Sequence, residues 1–391
     1  MNRALPHDPA GKDGPRGRLI SALRGRLFRL WNDPGRTLPD NATTALLFAA
    51  SRLYEFGLKW SQSRARKTRA ALPAYVISIG NLVTGGTGKT PVTLFVCQAL
   101  GEEGFYPAIL SRGYGRKGEG PARVCAEGDA RVQSDIFGDE PVLMASALPE
   151  VPVWVGRERV VSGRAALAGN GEVDTLVLDD GFQHLALDRN LDIVLVDSAN
   201  PFGNGFTLPL GPLREPVSHL ERADALIVTR AVDGPRLKKT LSLLDDLFPG
   251  KPVFACRHVI GGFRTSPGGP VLPAATFRGR RAVAFAGIAE PERFFDDLSQ
   301  LGIQVCDAFA FPDHYRYTDS DLMRILDSAS KCSPDMIVTT AKDAVKAPSS
   351  YREAISVAEM KIDFGADGHR FREFLGKRMG VSLKKRRIEG I

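Results

Sequence analysis

From Pro73 onward, short runs of apolar and β-branched residues recur along the chain. Stretches with apolar positions at helical spacing separate them. The first unit is AYVISIG (74–80), the loop NLVTGGTGKT (81–90) and PVTLFVCQALGEEG (91–104). Tyr75–Ile79 is apolar and β-branched, as a strand buried on both faces must be. Further strands are expected at PAILSRG (107–113), VPVWVG (151–156), VDTLVLDDG (173–181), LDIVLVDS (191–198) and ADALIVTR (223–230). A helix is expected after the second of these, at 157–168. Such alternation predicts an α/β domain with a mostly parallel sheet over 71–251. A second, smaller α/β domain is expected over 252–364. There a Gly/Pro-rich stretch follows the strand candidate PVFACRHVI (252–260), and a fresh alternation runs from 281 to 340. SVAEMKIDF (356–364) can return to pair with 252–260, making a two-strand hinge. Residues 365–391 remain as a C-terminal segment.

Upstream, residues 41–70 form a distinct unit. Over 42–60, Arg52, Glu55 and Lys59 fall on one side of a helical wheel. Leu46, Leu47, Ala50, Leu53, Tyr54, Phe56, Gly57, Leu58 and Trp60 cover most of the rest, and Asn41 suits an N-cap. Arg64, Arg66, Lys67 and Arg69 follow. A wide apolar face with Trp and Tyr beside a basic cluster suits a helix lying in a membrane interface. The same stripe also suits a helix packed on the protein's own core.

Charge sharpens the choice of partner. The chain has a formal charge of +7, yet residues 1–69 hold 14 Lys and Arg against 5 Asp and Glu, so the remainder is at −2. The positive charge belongs to the two ends, including the tail Lys384, Lys385, Arg386 and Arg387. Residues 1–40, with frequent Gly and Pro, read as a basic, disordered extension. Basic ends attract an anionic membrane surface, while a slightly acidic body without stacking aromatics speaks against nucleic acid. No apolar run approaches the roughly 18 residues that a spanning helix needs. Five scattered cysteines with no Cys-x-x-Cys pair indicate neither zinc nor a disulfide frame, and read as small buried thiols in a reducing compartment.

The loop Val83, Thr84, Gly85, Gly86, Thr87, Gly88, Lys89, Thr90 lies between a strand and a helix. Its glycines let backbone N–H groups approach phosphate, Lys89 neutralises the β- and γ-phosphates, and Thr90 offers a hydroxyl to Mg²⁺. The match to the usual spacing is imperfect: a first glycine would stand where Val83 is, and Gly80 comes three residues earlier. Asp179 and Asp180 end a strand, where a P-loop protein needs a carboxylate for Mg²⁺. Thr340-Ala341-Lys342-Asp343 has Lys and Asp adjacent and does not fit a guanine motif, so ATP is the expected nucleotide. The fold expected is therefore a P-loop NTPase-like domain with a second α/β domain and an N-terminal amphipathic helix.

Further polar clusters are SRGYGRK (111–117), GDEP (138–141), GRERV (156–160), DDGFQH (179–184), PLGPLREP (209–216), FPDHYRY (311–317) and TTAKDAVK (339–346). With GNLVTGGTGKTP (80–91), and in this order, they resemble the tetraacyldisaccharide 4′-kinases of lipid A biosynthesis, from about residue 42 to about 365. The resemblance implies phosphorylation of the 4′-hydroxyl of a tetraacylated glucosamine disaccharide 1-phosphate by ATP, at the cytoplasmic face of the inner membrane. It implies Asp139 as catalytic carboxylate with His314 as its partner, beside Lys89 and Asp180. It also implies Asp179 and Asp180, with Glu215 added, around the metal. Arg112, Arg157, Arg159 and Arg214 become candidates for the substrate phosphate or ATP, and Gln183 and His184 for the same cleft. No obligate protein partner is implied. A P-loop ATPase of the partitioning or metal-delivery type is the rival. It accounts for the loop and the acidic strand ends, but not for the interfacial helix.

Overall fold

The computed structural model describes residues 30–31, 42–114, 116, 118–125, 130–169, 171–288, 290–313 and 315–389. Helix α1 (Ala42–Lys67) precedes β1 (Tyr75–Asn81), α2 (Lys89–Glu102), β2 (Pro107–Ser111) and β3 (Ala122–Arg123). Helices α3 (Ala130–Phe137) and α4 (Asp139–Ala147), strand β4 (Val153–Val155) and helix α5 (Arg159–Gly169) follow. Then come β5 (Thr175–Asp179), β6 (Leu191–Asp197), β7 (Ala225–Thr229), α6 (Pro235–Leu247) and β8 (Val253–Ala255). These strands make one sheet in the order β3-β4-β2-β5-β1-β6-β7-β8, parallel throughout except for β3 against β4. The strands of its centre are buried end to end, which is why their sequences are apolar rather than alternating.

The chain crosses to a second sheet through one residue, Cys256. Strand β9 (Arg257–Arg264) begins there, followed by β10 (Val271–Pro273), β11 (Arg281–Ala286), α7 (Pro291–Gln300) and β12 (Gln304–Ala310). Helix α8 (Asp319–Cys332), strand β13 (Met336–Thr340), short helix α9 (Ala341–Ala344) and strand β14 (Ile355–Asp363) complete it. The order is β10-β9-β14-β13-β11-β12. The expected return strand does pair with the outgoing one: β14 runs antiparallel to β9, with Met360 opposite Ile260 and Ile362 opposite His258. Helix α10 (Asp367–Glu389) then goes back to the first sheet. Phe371, Leu375 and Met379 are buried in the same core as Val96 and Phe254, and Asp367 Oδ2 accepts from the Ala255 amide at 2.7 Å.

Three local expectations change. GDEP, named only as a polar cluster, opens α4, and the helical pair 130–147 falls where no element was expected. Cys97 and Cys256 are buried, but Cys125 is exposed. Leu30 and Trp31, within the stretch read as an extension, are helical and packed: Trp31 Nε1 donates to Pro209 O at 3.0 Å, and Leu30 O accepts from Asn204 at 3.1 Å.

Helix α1 is inverted relative to an ordinary surface helix. Its buried positions are Thr44, Ser51 and Gln62. Leu46, Leu53, Phe56 and Trp60 are 71%, 74%, 74% and 65% exposed. Ser51 bonds to Thr207 Oγ1 at 2.7 Å, Glu55 accepts from Thr207 at 2.9 Å, and Tyr54 donates to Arg214 O at 2.9 Å. The side carrying Ser51, Tyr54 and Glu55 is thus held by hydrogen bonds to the segment 207–214, and Leu46, Leu53, Phe56 and Trp60 point to solvent. No described helix is long and apolar enough to cross a membrane.

Candidate active site

In an open parallel sheet, ligands bind outside the carboxyl ends of the central strands. Here those ends bring together Asn81 of β1, Asp179 of β5, Asp197 of β6 and Thr229 of β7, because β5 and β6 flank β1 and β7 lies next to β6. Ile79 is opposite Asp179 in the register, so the residue two positions beyond Ile79 and the acidic pair are neighbours. Gly80 lets β1 approach the DDGFQH segment: a Cβ there would lie 2.5 Å from Phe182 Cβ. That packing need accounts for a glycine at 80 where the usual loop spacing has none.

The loop itself is tied down at its start. Val83 bridges to Leu213, and the Thr84 amide donates to Pro212 O at 2.8 Å. Gly88 caps α2 with φ 84°, a left-handed conformation open to glycine, and Lys89 is the first helical residue. Lys89 Nζ donates to Asn81 Oδ1 at 3.2 Å and sits 3.6 Å from Asp180 Oδ1. The hydroxyls of Thr84 and Thr87 and the Asn81 amide nitrogen are buried without partners. A loop with unsatisfied donors at a helix N-terminus is built to take an anion.

The acidic pair is split by environment. Asp179 is 3% exposed, accepts from Thr93 at 3.2 Å, and has its pKa pushed up to about 7 by burial, with Glu140 and Asp180 adding to the rise. Asp180, at φ 53°, turns its carboxylate to Arg214, whose Nη1 lies 3.1 and 2.9 Å from the two oxygens. Burial would raise its pKa, but Lys89 and Arg214 together hold it below the usual carboxylate range. One carboxyl therefore carries a proton near neutrality while its neighbour stays ionised.

A pH-dependent prediction follows. Asp179 holds its proton in the fold up to about pH 7, whereas the unfolded chain releases it near pH 4. Stability is therefore lost as pH rises between these values, and the loss persists above them. Asp179→Asn is expected to raise the melting temperature of the ligand-free protein at pH 8, by a gain on the order of a few kcal/mol, with little gain at pH 4.5. Equal shifts at both pH values in a thermal melt would refute this.

The remaining expected residues separate into groups. Gln183 Nε2 donates to Asn81 O at 2.9 Å, and its Oε1 lies 3.5 Å from Arg214, so it lines the acidic pair. His184 is held neutral, with its pKa lowered to about 4 by burial and by Arg159, Arg189 and Arg112; its Nε2 is buried and unpartnered. Arg112 and Arg157 are exposed. Arg159 is buried, with Nη1 2.8 Å from Gly156 O and Nη2 3.4 Å from Asp179 O, so it props the strand end rather than facing solvent. Glu215 is fully buried, and its Oε2 is taken by Arg222 at 2.6 Å and His219 at 2.9 Å. Arg222 also stacks on Phe182, 3.7 Å from the ring centre. This ion pair, which no local signal marked, anchors one oxygen of Glu215 beneath the DDGFQH segment, while its Oε1 is buried without a partner. Among the described residues no three His, Cys, Asp or Glu side chains group as metal ligands.

Asp139 is the first residue of α4, behind Gly138. His314 lies outside the described residues. The segments beside both are nevertheless joined: Arg316 pairs with Asp135 at 2.8 Å, and Lys342 with Glu140 at 3.2 Å.

A phosphate loop closing the central strand, with an acidic pair ending the next one, defines a P-loop nucleotide enzyme. The chain belongs to the Tetraacyldisaccharide-1-P 4'-kinase family, whose model matches residues 43–380, and it is an ATP-dependent phosphotransferase. It is 47% identical to a tetraacyldisaccharide 4'-kinase of Syntrophobacter fumaroxidans, over 93% of this chain and 95% of that one. A second, from Desulfatibacillum aliphaticivorans, is 38% identical and is covered over its whole length, with 93% of this chain matched. Among solved structures, LpxK from Aquifex aeolicus in complex with ATP has 30% identity and a TM-score of 0.68, covering 86% of this chain and 99% of that one.

Proposed function

We propose that the chain transfers the γ-phosphoryl group of ATP to the 4′-hydroxyl of a tetraacyldisaccharide 1-phosphate held at the cytoplasmic face of the inner membrane. The observation that carries this reading is the inverted helix α1. Tyr54 on its inward side donates to the carbonyl of Arg214, and the Arg214 side chain binds Asp180. The outward apolar row of Leu46, Leu53, Phe56 and Trp60 thus stands one hydrogen bond from a residue of the acidic site. A substrate with four acyl chains stays in the bilayer, since each buried CH₂ is worth about 0.8 kcal/mol. An enzyme for it must work at the interface. Arg64, Arg66 and Lys67 at the end of α1 add attraction of about 1 kcal/mol each to an anionic leaflet.

In this reading Lys89 and the loop amides bind the β- and γ-phosphates. Mg²⁺, when bound, neutralises charge on those phosphates. Thr90, Asp179 and Asp180 supply the hard oxygen donors that suit it, and a magnesium site needs only one or two protein carboxylates besides phosphate and water. Glu215, its Oε2 held by Arg222 and its Oε1 without a partner, would add to the metal's shell. Asp139, oriented by His314, accepts the proton of the attacking hydroxyl. Arg112 and Arg157, exposed near the same end of the sheet, reach the substrate's 1-phosphate. Closure of the two sheets about β9 and β14 excludes water that would otherwise take the phosphoryl group.

Transfer of ³²P from ATP to a tetraacyldisaccharide 1-phosphate tests the reaction, and label appearing only as free phosphate would overturn it. The membrane arm is tested separately. Leu53→Glu/Phe56→Glu/Trp60→Glu should fold normally, because these side chains face solvent. The triple variant should sediment with anionic vesicles at least tenfold less than the native chain. Equal sedimentation would exclude α1 as the contact.

A further inference from the structure

One buried group beside the phosphate loop has no role in the reaction described above. His258 is the second residue of β9, just past the crossing between the sheets. A Cβ built on Gly88 would lie 2.1 Å from its Nε2 and 2.4 Å from its Cε1, so the imidazole ring packs directly on the Cα of the residue before Lys89. Its Nε2 is buried and has no hydrogen-bond partner. The same loop is held at a second point. Arg230, just beyond β7, holds the left-handed φ of 54°, sparsely populated for a residue with a side chain. From there its Nη1 pairs with Asp197 at 2.8 Å, and its Nη2 donates to Gly86 O at 2.9 Å. The charged groups facing His258 are Arg230, Arg293 and Asp197. Burial and the two guanidinium groups hold the imidazole neutral, with a pKa near 4, so it meets the loop as an uncharged ring.

We propose that His258 and Arg230 are positioning residues that clamp the phosphate loop at Gly88 and Gly86, so that the strand joining the two sheets sets the loop's shape for phosphoryl transfer. Gly86 and Gly88 flank Thr87, and Gly88 immediately precedes the lysine that must meet the γ-phosphate, so both grips act on the segment that fixes where Lys89 points. β9 is continuous with the second sheet through its pairing with β14, so a shift of that sheet reaches Gly88 through one side chain. A misplacement of about 1 Å at a reacting centre can cost ~10²-fold in rate. The inference rests on ATP phosphates occupying this loop.

The test measures kcat, the KM of each substrate and the melting temperature for His258→Ala, His258→Gln, Arg230→Lys and the His258→Ala/Arg230→Lys pair, with Lys89→Ala as reference. Expected is a kcat loss of about ten- to a hundredfold for His258→Ala. The lipid KM should stay within about twofold, since the clamp touches only the phosphate loop. Glutamine, which can place an amide nitrogen near the position of Nε2, should restore most of the loss. Arg230→Lys should lose a comparable factor, because a single ammonium cannot divide its donors between Asp197 and Gly86 as a guanidinium does. The pair should lose less than the product of the singles, as groups acting on one loop do. A His258→Ala kcat within twofold of native would overturn the clamp. So would a loss that glutamine does not restore and that comes with a matching fall in melting temperature, because that is merely structural. If Lys89→Ala also keeps its rate, the loop is not the nucleotide site, and the clamp falls with that reading. If Lys89→Ala is inactive while His258→Ala is not, the clamp alone falls.

Discussion

Lys89→Ala is expected to lower kcat at least ~10²-fold, because it removes a fixed positive charge from a phosphoryl group in transfer. The geometry makes this a clean substitution. Lys89 opens α2, and its ammonium is shared between Asn81 and Asp180. Asp180 keeps Arg214 when Lys89 is lost, so no carboxylate is left wholly unpaired and the fold should survive. The alanine also leaves α2 intact, since alanine favours a helix. The measurement is steady-state kcat with melting temperature alongside. A soluble, normally melting variant with near-native turnover would remove the phosphate-loop assignment.

Asp139→Ala and His314→Ala should each cost about 10²- to 10⁴-fold in kcat, the usual range for general acid–base groups, with smaller changes in KM. Asp139 stands at the start of α4, in the first sheet's half of the protein. The segment around position 314 belongs to the second half, yet Arg316 reaches Asp135 and Lys342 reaches Glu140. The first of these contacts joins sequence neighbours of both residues and supports a shared task. If the two act as one unit, the double variant should be little worse than the worse single one. Fully multiplicative losses would assign them independent roles. The flanking ion pairs are exposed and weak, worth well under about 1 kcal/mol each, so removing one of them by Arg316→Ala should change turnover far less than either catalytic variant.

Much of this site was legible because its signals are local. A strand buried on both faces has to be apolar, so β1, β5, β6 and β7 show as runs of Val, Ile and Leu. A loop that accepts phosphate needs glycine, lysine and threonine within a few positions. Arg230 could not be found that way. Its target is the carbonyl of a residue 144 positions earlier, and a carbonyl has no side-chain identity to read. The same holds for Glu215. The resemblance put it beside the metal, and only the fold shows Arg222 and His219 holding one of its carboxylate oxygens.

Helix α1 shows where the two kinds of information divide. Periodicity along 42–60 determined that a helix would form with a broad apolar face, because helical spacing fixes which side chains share a side. It did not determine which face would be inward. That depended on where Thr207 and the Arg214 carbonyl were left by strands far away in the chain, and their hydrogen bonds drew Ser51, Glu55 and Tyr54 inward. The composition of the helix was written locally. Its orientation, and with it the apolar row that faces outward, was decided by partners whose positions only the assembled sheet supplies, because a hydrogen bond needs both its ends in place.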